Sequence, residues 1–169
     1  MASTGDGSPQ TPACTRHRWE GKKTGPNPTD RAKSGTKRHV LTEGDGVPIA
    51  LVVSAAIMHD KRGLAALLDA RLIRPDAGTE QHLCLDKGYD FDDTRREIRR
   101  RHYVPHVRSR GEEHRRCRRG HKARRWVVER THSWLNRFRK LLIRWEKKSA
   151  NYLALMQFAC VIIVYRLMG

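Results

Sequence analysis

Acidic residues are scarce in this sequence. Its 169 residues hold 18 Asp and Glu against 35 Lys and Arg, for a net charge of +17 at neutral pH. An imbalance of that size concerns partners rather than fold. It points to a polyanion, because neutralising phosphates releases counterions and drives binding without regard to base sequence. Mixed-sign surfaces keep proteins soluble without so one-sided an excess. Cysteine pairs are missing too: Cys14, Cys84, Cys117 and Cys160 are widely spaced with no CxxC. That excludes a disulfide framework and leads us to expect thiols in a reducing compartment. His114, Cys117 and His121 offer three donors, but in an arginine-rich run that repels a cation. A basic loop is expected there rather than a zinc site. Long apolar runs are absent except at 152–168, which contains Gln157 and Arg166. It falls short of the ~20 clean apolar residues of a membrane span, so a core helix is expected. No basic-then-apolar leader opens the chain. The expectation is a cytoplasmic protein acting at the nucleoid, away from membranes.

Residues 1–37, rich in Gly, Pro, Ser, Thr and Lys, read as a flexible basic segment, with a domain over 38–169. Gly44-Asp45-Gly46 is a turn signal between two strand-like runs, Arg38 to Thr42 and Val47 to Ser54. The second run is nearly all apolar, which suits a strand covered on both faces. Leu64, Leu67 and Leu68 give Asp60 to Ala70 helical spacing, with His59 or Asp60 placed to cap its start. A short strand at 82–85, a charged helix at 92–101 and a strand at 103–107 follow, then a basic loop at 111–120. Helices at about 123–147 and 150–167 finish the chain. A hairpin followed by alternating strands and helices predicts a mixed sheet with helices on its faces.

Two carboxylates stand out. Asp86 ends an apolar strand, where side chains leave the core and sites form in α/β sheets, and Gly88 allows a sharp turn just behind it. Its competing role, capping the next helix, falls more naturally to Asp90. Glu129 lies on the first of the two final helices. On a wheel of about 100° per residue, Val128, Thr131, Leu135, Phe138, Leu142 and Trp145 form an apolar stripe. Arg125, Glu129, His132, Ser133, Asn136 and Lys140 lie opposite. Glu129 is the one acid between Arg125 and Lys140, but an Arg125–Glu129 surface pair, contributing ~0.3–0.5 kcal/mol, accounts for it better on the wheel alone.

Several runs carry a resemblance. Thr24-Gly25-Pro26-Asn27-Pro28-Thr29-Asp30-Arg31 is followed by Ser34-Gly35-Thr36-Lys37-Arg38-His39. Asp86-Lys87-Gly88-Tyr89-Asp90 comes next, then Arg125-Trp126-Val127-Val128-Glu129-Arg130-Thr131 and Trp134-Leu135-Asn136-Arg137-Phe138-Arg139. In this order, over about residues 21–168, they resemble the insertion-sequence transposases of the IS-five group. The resemblance implies an α/β, ribonuclease-H-like mixed sheet flanked by helices and ending in two long C-terminal helices. It also implies two aspartates and a glutamate binding two divalent ions, Mg²⁺ or Mn²⁺. Asp86 then corresponds to the second aspartate and Glu129 to the glutamate. Hard Mg²⁺ prefers oxygen ligands, and two such ions clamp the attacking and leaving oxygens of an in-line displacement at phosphorus. Water would release a 3′-hydroxyl at the element end, and that hydroxyl would attack target DNA. The implied partners are the element's terminal inverted repeats and target DNA, with homo-oligomers forming on DNA. Lys37, Arg38, Arg125, Arg130, Arg137, Arg139 and Lys140 are the candidate phosphate contacts.

The sequence also departs from the family pattern. The first triad aspartate should precede the Gly25-Pro26 run, where Asp6 is the only Asp; Pro9 and Pro12 follow it, and proline cannot donate to a sheet ladder. Ile57 replaces an expected Asn in Ala56-Ile57-Met58-His59-Asp60. An N-terminal recognition region usual in the family is not seen, as in a second reading frame that works with an upstream-frame partner, or in a truncated copy. Two other readings therefore stand beside a strand-transfer enzyme: a truncated, non-catalytic DNA-binding remnant, and a basic RNA-associated protein. The last is disfavoured because Trp126, Trp134, Phe138 and Trp145 sit at core spacing rather than as a stacking platform.

Overall fold

The computed structural model describes residues 13–17, 22–27, 31, 33–73, 78–107 and 125–169. Its centre is a hairpin of β3 (Ser34–Thr42) and β4 (Pro48–Ala55), antiparallel from Thr36↔Ala55 to Leu41↔Ala50, with an irregularity between Leu41 and Thr42. The predicted turn closes it. Glu43 N donates to Val47 O and Gly46 N to Glu43 O, both at 3.0 Å. Gly46 has φ +85°, and a Cβ there would lie 3.1 Å from Arg130 Nη2. Both its backbone angle and its close neighbour require glycine.

β3 begins four residues before Arg38, so the expected boundary between 37 and 38 falls inside a strand. Two further strands lie in the segment read as loop: β1 (Ala13–His17), antiparallel to β3 with Cys14 opposite Lys37, and the short β2 (Gly25–Pro26). β2 continues the β4 edge past Ala55, pairing Gly25 with Gly35. Ser34 and Gly35 carry little strand signal, but here both edges of β3 are paired. On the outer side of β1, β7 (Ile143–Arg144) runs parallel, making a mixed five-stranded sheet.

The remaining strands stand apart. β5 (Gln81–Leu85) and β6 (Tyr103–Val107) pair in parallel as a separate two-stranded sheet, joined by a 3₁₀ turn at Lys87–Tyr89 and by α2 (Asp92–Arg100). The sequence leads to one mixed sheet; the described residues form two. Alternation along the hairpin explains how both are covered. Leu41 and Ala50 face a core built with Leu64, Leu67 and Leu68 of α1 (Asp60–Asp69), Leu83 and Leu85 of β5, Ile98, Tyr103 and Val107. Val40, Leu51 and Val53 face a second core containing Leu135, Leu141, Tyr152, Met156, Ala159 and Ile163. The observed architecture is α/β, with helices on both faces of the hairpin. The N-cap of α1 is His59, whose Nδ1 accepts from Lys61 N at 3.4 Å.

The C-terminal region departs most from expectation. Instead of two long helices there is α3 (Arg125–Asn136), a single turn α4 (Arg139–Leu142), β7, and one long helix, α5 (Ser149–Met168). Val128, Thr131 and Leu135 of the predicted stripe are buried, but Leu142 is 47% and Trp145 48% exposed. Leu141 and Arg144 turn inward instead. α3 stops where Arg137 N and Phe138 N donate to Trp134 O and Leu135 O, three residues back rather than four. Ile143 and Arg144 then find the open edge of β1. α5 is long and apolar enough to cross a membrane by length and composition, and 22% of its apolar window is buried. Tyr152, Met156, Ala159 and Ile163 form its single inward stripe, while Phe158, Val161 and Tyr165 are exposed. It is therefore not the fully enclosed core helix that its composition predicts.

Candidate functional site

Asp86 follows β5 directly, where the chain turns away from the core. Its carbonyl accepts Tyr89 N at 2.9 Å, and its side chain is half-buried. A Cβ placed on the glycine behind it would meet nothing within 4 Å, so Gly88 faces open space. Tyr89 is 2% exposed. Burial raises the pKa of its hydroxyl, and the nearby charges of Asp60 and Asp86 raise it further. Asp90, expected to cap α2, instead pairs with Arg95 at 2.6 Å, and the N-cap position is Phe91 without a side-chain bond.

Glu129 is exposed in the second turn of α3. α3 packs on the face of the hairpin opposite α1: Thr131 Oγ1 donates to Gly46 O, and Asn136 Oδ1 accepts Arg38 Nη2 at 2.8 Å. Asp86 therefore belongs to the layer of the first core and Glu129 to a helix over the second. Asp6 lies outside the described residues, as do the side chain of Arg125, the 111–120 loop with His114 and Cys117, and His121 after it. Among the described residues, no three His, Cys, Asp or Glu side chains gather where they could hold a metal ion. Cys14, Cys84 and Cys160 form no disulfide.

The predicted phosphate contacts divide. Arg137, Arg139 and Lys140 are exposed. Lys37 is tied to Asp60 Oδ1 at 2.7 Å and to Met58 O at 2.9 Å. Arg130 lies between the Trp126 and Trp134 rings, at 4.8 and 5.0 Å from their centroids, and bonds Asp45 O. Arg38 is 3% exposed and is not a surface contact. Strand alternation puts it on the same face as Val40, beneath α3. The aromatic residues also depart from expectation: Trp126, at 52% exposed, does not belong to the core.

Burial of polar groups here has a consequence that the sequence does not signal. His132, 8% exposed, sits beside Arg38, and neither of its ring nitrogens has a partner; Nε and Nη1 of Arg38 also lack one. On the other face, His39 Nε2 meets Ser54 Oγ at 2.7 Å, and its ring lies so close to Gly63 that a Cβ there would be 2.7 Å away. Burial lowers both pKa values from 6.5 to about 4. For His132 the neighbouring positive charge of Arg38 lowers it further; for His39, Asp60 partly opposes the shift. Both imidazoles are neutral in the fold and free to charge when unfolded. Stability is thus fully present above pH 6.5 and is lost as pH falls from 6.5 towards 4, at about 1.4 kcal/mol per pH unit for each ring. Urea unfolding at about pH 7 and about pH 5 should differ by about 2 kcal/mol per histidine. His132→Leu should remove half of that slope; an unchanged slope would show that His132 does not stay neutral.

The sequence profile of the transposase DDE domain matches residues 4–164, nearly the whole chain. A Burkholderia cepacia protein named as a putative transposase for insertion sequence element IS402 is 39% identical over 155 residues, covering 88% of this chain and 71% of that protein. The match runs through the stretch before β3, the acid at the end of β5 and the whole of α3. The chain belongs to the insertion-sequence transposases of the DDE family.

Proposed function

We propose that this chain binds DNA and carries out divalent-metal-dependent cleavage and strand transfer at the ends of an insertion element of the IS-five group, acting at the nucleoid. The family match over residues 4–164 carries the reading. Asp86, Glu129 and Asp6 are the proposed carboxylates. They supply only oxygen donors, which suits hard Mg²⁺ or Mn²⁺. Asp86 leaves the core at a strand end and Glu129 is exposed on α3, so both side chains are open to approach by DNA. When bound, two ions would supply Lewis acidity at the scissile phosphate. Arg137, Arg139 and Lys140 then offset phosphate charge along the same helical segment. The antiparallel order β4-β3-β1 and the parallel β5-α2-β6 unit support a ribonuclease-H-like catalytic domain. The pairing of β1 with β3 includes residues before 38 in that domain. Homo-oligomers on DNA and an upstream-frame recognition partner belong to the same reading.

A second reading, a remnant that binds DNA without cutting it, is favoured by one observation: Asp86 follows a strand of the first core, whereas Glu129 lies on a helix packed over the second. A plasmid carrying the element with its flanks separates the two. The enzyme reading expects nicking at the element ends with Mg²⁺ or Mn²⁺ and none with EDTA, with DNA binding retained in both. Binding without nicking in either metal would establish the remnant.

A further inference from the structure

We propose that His82 and His106 chelate a borderline transition ion of the Zn²⁺, Ni²⁺ or Cu²⁺ class across the parallel strands β5 and β6, independently of the catalytic carboxylates. His82 Nδ1 and His106 Nε2 face each other at 2.8 Å, with ring centroids 4.9 Å apart and ring planes tilted by 43°. Leu83, Leu85, Tyr103 and Val107 point into the first core, so alternation places His82, Cys84, Val104 and His106 on the outer face. His106 is exposed and His82 half-buried, so an ion reaches them from solvent.

Two facing neutral imidazoles joined by one hydrogen bond hold the donor ring's single proton between them, and a metal can take that place when the proton moves to the donor ring's other nitrogen. Metal–nitrogen bonds of about 2.0–2.1 Å at a tetrahedral angle put the two nitrogens about 3.3 Å apart. Opening the pair by about half an ångström is a small side-chain rotation. Each neutral ring then carries its one proton on the nitrogen away from the metal, and no proton is released overall. Imidazole nitrogen selects Zn²⁺, Ni²⁺ and Cu²⁺ over the hard Mg²⁺ that carboxylates prefer. The outward residues of the strand pair include no Lys or Arg, and the net charge of the rest of the chain is screened beyond about 8 Å at physiological salt. Among the described residues no third His, Cys, Asp or Glu completes a three-ligand set, so water fills the remaining positions. Cys84, directly opposite His106 in the register, is not required. The bound ion clips β6 to β5 four residues before Asp86.

Equilibrium dialysis of the full chain against Zn²⁺, with excess Mg²⁺ and no DNA, tests this. The parent should bind one more Zn²⁺ than His82→Gln or His106→Gln, and Cys84→Ser should bind as the parent does. Zn²⁺ at about a hundred times its Kd should raise the parent Tm by about 5 °C or more, and should not raise it through this site in either His variant. Equal Zn²⁺ binding by the parent and the His82→Gln/His106→Gln double variant would overturn the proposal. So would loss of the ion in Cys84→Ser with retention in His82→Gln. No readout involves DNA cleavage, so failure here and failure of the nuclease reading are separate.

Discussion

Asp86→Asn and Glu129→Gln are each expected to lower metal-dependent cleavage by about 10³-fold or more while leaving metal-free DNA binding as strong as in the parent, or stronger. Groups that act as one unit lose most of the rate when any member goes, so the double variant should be scarcely slower than either single one. The amides keep the shape of the acids but supply no anionic oxygen to a hard cation. Binding should not suffer, because taking a carboxylate from the path of a polyanion relieves repulsion. Nor should the fold. Glu129 is exposed, and the turn after Asp86 is closed by its backbone carbonyl, which the substitution leaves intact. Parallel nicking and gel-shift titrations check both halves. If Glu129→Gln cuts like the parent, the acid of α3 is not a metal ligand, and Asp60, which shares the Tyr89 neighbourhood with Asp86, is the next position to replace. Asp6→Asn addresses the remaining carboxylate in the same assay.

What could be read in advance follows from which signals are local. The β3–β4 hairpin was legible because Gly44-Asp45-Gly46 sits between two apolar runs, and the β5-α2-β6 unit because strand and helix periods alternate cleanly. Asp86 was legible as an acid at the end of such a strand. The N-terminal extension of β3 was not, since Ser34 and Gly35 become strand only through partners in β1 and β2. The break in α3 was not, because the 3.6-residue stripe runs on unchanged to Trp145. Periodicity cannot sense the free edge of β1 that captures Ile143 and Arg144. Arg38 could have been suspected of burial from its alternation with Val40. For His132, on the polar side of the wheel, nothing local signalled burial. The His82–His106 contact depends on the parallel register, which no single strand encodes.

Replacing Arg144 should be among the most destabilising single changes in the chain, although Arg144-Trp145-Glu146-Lys147-Lys148 reads as a charged surface run. Arg144 is fully buried. Its Nε donates to Glu146 O at 3.1 Å; Nη1 donates to Thr36 Oγ1 at 2.9 Å and to Lys23 O at 3.5 Å; Nη2 donates to Lys22 O and Lys147 O, both at 3.1 Å. The guanidinium also lies 5.8 Å from the centre of the Tyr152 ring. One side chain therefore ties the segment before β2, the centre of the sheet at Thr36 and the start of α5. It does so with a planar fork of donors that lysine cannot imitate. Arg144→Met keeps the apolar bulk but takes the guanidinium donors from these oxygens, of which Lys23 O keeps the Thr36 hydroxyl, at a cost of about 3 kcal/mol, less where the carbonyls regain water. For a chain of this length that lowers Tm by roughly 10 °C. Arg144→Lys keeps the charge, cannot reach five oxygens and should recover less than half of the loss. Thr36→Val, which removes one acceptor of Arg144 and the hydroxyl's own donation to Lys23 O at 3.0 Å, should cost about 1 to 1.5 kcal/mol. Thermal melts of the three variants would give the order Met, Lys, Val from most to least destabilised. A Lys variant as stable as the parent would mean that charge alone, rather than the fork, holds these three segments together.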